Sequence, residues 1–397
     1  MPKIGQDILA FVRSIDGLEA SFPLITDVVG TANEKAENAY FGFLAEHGRH
    51  VGKKDGRHIY ELDLPYQHKV DNLEKHKATW GSAVDLLPKS LLISLVSQYD
   101  AFLRALLGHL FYSQPGLLNL NDQNLPFPKL LELGSVEKAK EFFIEKQVEG
   151  VLRSSHSEQF CWMENKFKLP LREGLSLWPD FIELTERRNL FVHCNGIVSS
   201  QYLSVCKDHN VSLPASISLG KKLEVSKEYF HKAHRCLFEI AIKLAHVLWR
   251  KIIPNNRLEA DSNLLEITYE ALVAERYELA AILLDFATST LKHYSNDEMR
   301  RLFILNRAIA YKWAGDDKKC RVIVNEHDWS SSREKFRLAV AVLLEDYPEA
   351  VRLMKVIGPT GDPSEFAYRD WPLFRKFRTS PLFLRTYHGF YPIFTDG

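Results

Sequence analysis

The sequence predicts an all-α protein with helices grouped into a bundle and a following array. Three observations carry that prediction. Between Leu86 and Pro254, apolar residues recur at helical spacing, as in Leu92, Val96, Tyr99, Leu103, Leu106 and Leu110. From about Asn255 onward, three stretches share one pattern of helix end, turn and helix start: Ala274–Ala280, Ala314–Cys320 and Leu344–Ala350. The one stretch with strand character is short, where Lys54-Asp55-Gly56 sits between alternating segments from His50 to Tyr60, a pattern that suits a small β-hairpin.

Taken in order, residues 1–84 read as a mixed N-terminal region. Helical patches are expected near Asp7–Val12 and Asn33–Glu46, separated by a turn-rich stretch. Residues 85–254 read as the helical bundle. Pro88 opens its first helix, which runs to about Tyr112 and ends at Pro115-Gly116. A second stripe on that helix, Ser90, Ser94, Ser97, Ala101, Arg104 and Gly108, is mostly small and would let another helix approach closely. Further helices are expected from Ser135 to Leu152, Ser157 to Phe167, Asp180 to Leu190 (with Pro179 near its first turn) and Ser226 to Lys251. Asn195-Gly196 ends or interrupts the third of these. Residues 255–397 read as helical repeats, and the aromatic, basic run Asp370–Arg378 suits an end cap with buried aromatics better than a base-stacking surface.

Composition excludes several classes. The chain has 397 residues, nearly half of them apolar, so it can bury a sizeable core. Lys+Arg and Asp+Glu balance at 51 each, so a nucleic-acid surface would have to be local or arise in an assembly. The five cysteines, Cys161, Cys194, Cys206, Cys236 and Cys320, form no C-x-x-C pair, which argues against a disulfide framework and a zinc site. The start of the sequence has no apolar signal core, and the apolar run Phe238–Trp249 is too short to cross a bilayer. A cytoplasmic protein without a membrane partner is the expectation.

The candidate chemistry lies in Arg188-Asn189-Leu190-Phe191-Val192-His193. The Arg-x4-His spacing alone is uninformative, because Arg104 and His109 satisfy it inside an apolar helix, with alanine after the arginine. The second copy has a polar Asn189 that shares a helix face with His193, and Arg188 can reach back to that face. Histidine titrates near neutrality and can move protons, while arginine is permanently cationic and can bind phosphate oxygens bidentately. The string Thr185 to Gly196 resembles the active-site motif of the HEPN superfamily of helical ribonucleases, in the versions found in bacterial toxins and phage-defence proteins. Ser97–Leu103 is similar to the opening helix of those domains. The C-terminal region resembles a short, divergent tetratricopeptide array.

The resemblance implies a HEPN bundle over 85–254 that acts as an endoribonuclease without metal or other cofactor. Its catalytic residues would be Arg188, Asn189 and His193, its products a 2′,3′-cyclic phosphate and a 5′-hydroxyl. It also implies a homodimer whose two motifs meet across a two-fold axis. The repeats would bind a protein regulator or trigger. The alternative is a catalytically inactive HEPN and helical-repeat scaffold for a protein or nucleic-acid partner. Asp100 could support the site by pairing with Arg188 or orienting His193, although pairing with Arg104, one helical turn on, is the simpler expectation. His231 and His234 have a possible metal spacing but no third ligand evident in sequence, so a solvated helix face is expected there. Cys194 is expected to be a buried small thiol rather than a nucleophile.

Overall fold

The structure is a computed structural model that describes residues 3–118 and 126–392. The all-α class holds: a single two-stranded hairpin is the only sheet among the described residues. Contacts divide the chain into two compact units, residues 1–241 and 242–397. The division falls inside a helix, earlier than the expected boundary at 254.

Unit 1 is built on two long helices, α1 (Ile4–His47) and α2 (Leu64–Ser113), which pack along each other. His109 meets Asp7 at 2.6 Å, the Phe11 and Phe102 rings lie 4.8 Å apart, and the Lys77 ammonium sits 3.9 Å over the Tyr40 ring, so the pair is antiparallel. Between them, β1 (Arg49–Lys54) and β2 (Arg57–Glu61) form the expected hairpin, with a bulge near Gly52. Asp55 and Gly56 both take positive φ, as a two-residue hairpin turn requires.

Three expectations fail here. The N-terminal region is one 44-residue helix rather than two patches, with Pro23 inside it. Proline in a helix interior costs about 3 kcal/mol in isolation; burial of Ile15, Phe22 and Val29 works against that cost. Pro88 likewise lies within α2 instead of opening it, so the expected division at 84/85 falls in mid-helix. The small-residue stripe does not receive another helix: Ser97, Ala101 and Arg104 are exposed, and no atom would crowd a Cβ at Gly108. The apolar stripe from Leu92 to Phe111 is buried instead. α2 is the one described helix long and apolar enough to cross a membrane by length and composition.

Short helices then close the bundle: α3 (Phe127–Leu133), α4 (Val136–Leu152), α5 (His156–Phe167), α6 (Trp178–His193), α7 (Ser200–Asp208) and the first part of α8 (Lys227–Ile252). Their starts follow local chemistry. Ser135 caps α4, and Ser155 and Glu158 form a reciprocal capping box on α5. α7, capped by Ser199, was not anticipated from the sequence.

Unit 2 contains helix pairs: α9 (Arg257–Val273) with α10 (Tyr277–Asp285), α11 (Asp297–Trp313) with α12 (Asp317–Asn325), and α13 (Glu334–Leu343) with α14 (Tyr347–Ile357). The three turns share one geometry. Glu275, Gly315 and Glu345 each take positive φ, and the following amides of Arg276, Asp316 and Asp346 bond back to the carbonyls of Ala271, Tyr311 and Ala341. That common ending is the physical content of the repeated sequence pattern. Two further helices, α15 (Glu365–Asp370) and α16 (Pro381–Phe390), flank the aromatic run, in which Leu373, Phe374 and Phe377 are buried. Lys376 pairs with Glu345, and Arg378 bonds the Tyr368 and Trp371 carbonyls, so this run packs as an end cap.

Candidate active site

The motif occupies the last turns of α6, whose two faces have different work. On the inner face, Glu183 and Arg187 are both buried and bonded to each other at 2.7 Å. The hydroxyls of Tyr202 and Tyr229 each donate to the Glu183 carboxylate at 2.7 Å, and the Arg187 guanidinium lies 3.9 Å over the Tyr229 ring. This network ties α6 to α7 and α8. Burial and the adjacent Glu183 charge push both tyrosine hydroxyls well above their ordinary pKa, which keeps them donors.

The helix stops directly after His193. The amides of Cys194 and Gly196 both bond the Leu190 carbonyl, and Asn195 and Gly196 take positive φ. Gly196 is required twice over: its φ is +81°, and a Cβ there would stand 3.0 Å from the Phe191 ring and 3.1 Å from the Leu223 carbonyl oxygen. His193 is thereby left exposed at a helix end, facing an open cleft.

On the outer face, Glu186, Arg188, Asn189 and His193 line a cleft of about 440 Å³ together with Asp100 of α2, His156 of α5 and Tyr202 of α7. The structure therefore brings all four sequence candidates together. Asp100 stands 3.4 Å from the Arg188 guanidinium and 2.9 Å from His156 Nε2. Its expected partner Arg104 is exposed instead, so the turn-spaced pairing is corrected in favour of Arg188. The pairing is long, and Arg188 Nε is buried without a hydrogen-bond partner, which leaves the guanidinium capacity for a further acceptor. The Asn189 amide donates to Glu186 at 3.3 Å.

His156 is the residue that sequence reasoning missed. It is 6% exposed, wedged among Tyr99 and Phe181, and clamped through Nε2 to Asp100. Nothing in its local sequence marks it: its partner lies 56 residues away. Two histidines thus line one cleft within one chain, one exposed and one held by a carboxylate. Arg153 and the helix starts at Ser155 and Ser199 line the same cleft, and helix N-termini favour anions.

His109 of the incidental Arg104 copy is tied to Asp7 across the α1–α2 packing. Cys194 is exposed, contrary to the buried thiol expected, because it lies just past the last turn of α6. His234 is 1% exposed and sits against Asp16 and Glu19, so the solvated helix face expected for it is corrected as well.

Burial raises the Glu186 carboxyl above its usual range, against the opposing pull of His156, Asn189 and Arg188. A carboxyl whose folded pKa exceeds its unfolded value contributes stability at low pH that is lost as pH rises through the folded pKa. Glu186→Gln is therefore expected to stabilise the fold at neutral pH and to flatten that part of the decline. Denaturation midpoints measured from below the ordinary carboxyl range up to neutrality would detect it; a variant whose decline parallels the wild type would refute the assignment.

No family model, curated protein or solved structure matches the chain.

Proposed function

We propose that the chain is an endoribonuclease of HEPN type that cleaves RNA through its own 2′-hydroxyl. The observation that carries this reading is the polar cleft in which Arg188, Asn189 and His193 meet Asp100 and His156. An imidazole takes the 2′-hydroxyl proton as the oxygen attacks the adjacent phosphorus. A second imidazole protonates the departing 5′-oxygen. The products are a 2′,3′-cyclic phosphate and a 5′-hydroxyl, and the proton count balances. Arg188 stabilises the charge that builds on the non-bridging oxygens. Asp100 positions His156 and competes with phosphate for Arg188. No step needs a metal ion. His193 and His156 supply the two imidazoles within one chain, and a homodimer would instead supply the second from the other copy. In this reading the protein is a cytoplasmic toxin or anti-phage effector, and its C-terminal helix pairs bind the regulator that restrains or triggers it.

The test is end-group analysis. Purified full-length protein is incubated with total RNA and with defined oligonucleotides, without added divalent cation. Cyclic-phosphate and 5′-hydroxyl ends are expected, and a single 2′-deoxy substitution at the cleaved nucleotide should block the cut. Cleavage of the deoxy-substituted strand, or 3′-hydroxyl ends, would overturn the mechanism. A chain inert toward every RNA class, with or without its bound partner, would leave the scaffold reading in its place.

A further inference from the structure

α1 and α8 meet at a second polar cluster that the ribonuclease reading does not use. Asp16 and Glu19, one helical turn apart on α1, face His231 and His234, one turn apart on α8. His234 Nε2 lies 2.8 Å from Asp16 Oδ1, and its Nδ1 lies 3.4 Å from Glu19 Oε2. The other Glu19 oxygen bonds His231 Nδ1. One ligand atom from each of Asp16, Glu19 and His234 lies within 4.8 Å of the others. We propose that these residues form a divalent-cation site of the zinc class, with Asp16, Glu19 and His234 as ligands and His231 as the fourth, clamping α1 to α8.

Three features point to an ion rather than to plain hydrogen bonding. The first is the unsatisfied ring of a buried residue: His234 is 1% exposed, and its Nδ1 is buried without a hydrogen bond although Glu19 Oε2 is near. Such an atom is costly unless something completes it. The second is the donor set: ligand atoms of Asp16, Glu19 and His234 lie within 4.8 Å of one another, two carboxylates and an imidazole that one divalent ion can bridge. The third is access. Glu19 and His231 line an open cleft of about 480 Å³ with Phe22, Pro23 and Phe230, so an ion can arrive from solvent while His234 stays covered. Mixed imidazole and carboxylate ligands select zinc and its neighbours in the first transition series, whereas magnesium and calcium favour all-oxygen sets. The spacing within each helix is readable in sequence, but the two halves lie 218 residues apart, so neither half suggests a site alone.

None of these four residues lines the Arg188 cleft, so the proposal stands apart from the ribonuclease reading. The test uses full-length protein stripped with chelator and titrated with Zn²⁺ alone against a chromophoric competitor, and with Co²⁺ followed by its visible absorption. One ion per chain is expected, with d–d bands of a four- or five-coordinate N/O site and no thiolate charge-transfer band. Glu19→Gln and His234→Gln should each weaken binding at least tenfold with an unchanged far-ultraviolet spectrum. Because a variant of the buried His234 could unfold, His231→Ala serves as the exposed probe: weaker binding and altered cobalt bands with the fold intact support the site. Failure of the wild-type protein to bind either ion at micromolar concentration would overturn the proposal. So would an affinity unchanged in both Glu19→Gln and His231→Ala, and so would cobalt–sulfur charge transfer.

Discussion

Replacing Arg188 or His193 by alanine is expected to abolish RNA cleavage while leaving the fold intact. His193 is exposed and Arg188 is held by a long pairing to Asp100, so neither truncation opens a core cavity. General acid–base catalysis is worth about 10²–10⁴ in rate, and a charge-stabilising donor about 10²–10³. Each single variant should therefore lose at least two orders of magnitude, and the double variant should lose far less than the product, since the groups act on one transition state. His156→Ala decides where the second imidazole comes from. If His156 serves, its loss costs as much as that of His193. If it is silent, the second histidine must be the His193 of another copy, and an excess of His193→Ala protein should then depress wild-type activity by forming hybrid dimers with a single imidazole. Initial rates on a single cleavable oligonucleotide, with circular dichroism on every variant, give the answer. Full activity in both Arg188→Ala and His193→Ala would remove this cleft from the chemistry.

The parts of this architecture that were legible in the sequence are those written in local chemistry. Ser135 and Asn195-Gly196 mark helix ends because caps are decided by side chains within a few residues. The turns at Glu275, Gly315 and Glu345 were readable for the same reason. Legibility ends where tertiary packing outweighs local preference. The stretch between the two N-terminal patches reads as turn-rich and Pro88 as a helix start, yet α1 and α2 run through Pro23 and Pro88, with Phe22 and Val29 buried on the first helix and Leu92 and Leu95 on the second. The site divides along the same line. Arg188, Asn189 and His193 share one helix and could be found as a motif, and Asp100 could be suspected from its helix. His156 enters the cleft only through the packing of α5 on the bundle, and no periodicity encodes that contact. The charges of Glu183, Glu186, Arg187 and Arg188 stand close in the sequence, but which of them are buried depends on α7 and α8 supplying Tyr202 and Tyr229.

That buried pair carries the largest expected effect on stability. Glu183→Ala would strand the Arg187 guanidinium, 8% exposed, with its remaining named acceptor the Glu224 carbonyl at 3.4 Å. It would also remove the acceptor for two buried tyrosine hydroxyls. Breaking one partner of a buried ion pair costs about 3–5 kcal/mol, because the other charge stays desolvated. That is a large share of the stability of a typical domain. Removing both charges together, as in Glu183→Leu with Arg187→Met, should cost less than Glu183→Ala alone, since the desolvated guanidinium goes too, although the tyrosine hydroxyls remain unpaired. Denaturant midpoints for Glu183→Leu, Arg187→Met and the double variant form the cycle that measures the coupling. A coupling near zero would mean that Glu183 and Arg187 do not brace α6. A large one would mean that the register presenting Arg188 and His193 to the cleft depends on charges that never touch it. Cleavage should then fall in Glu183→Ala in step with the loss of folded protein, and recover in part in the double variant.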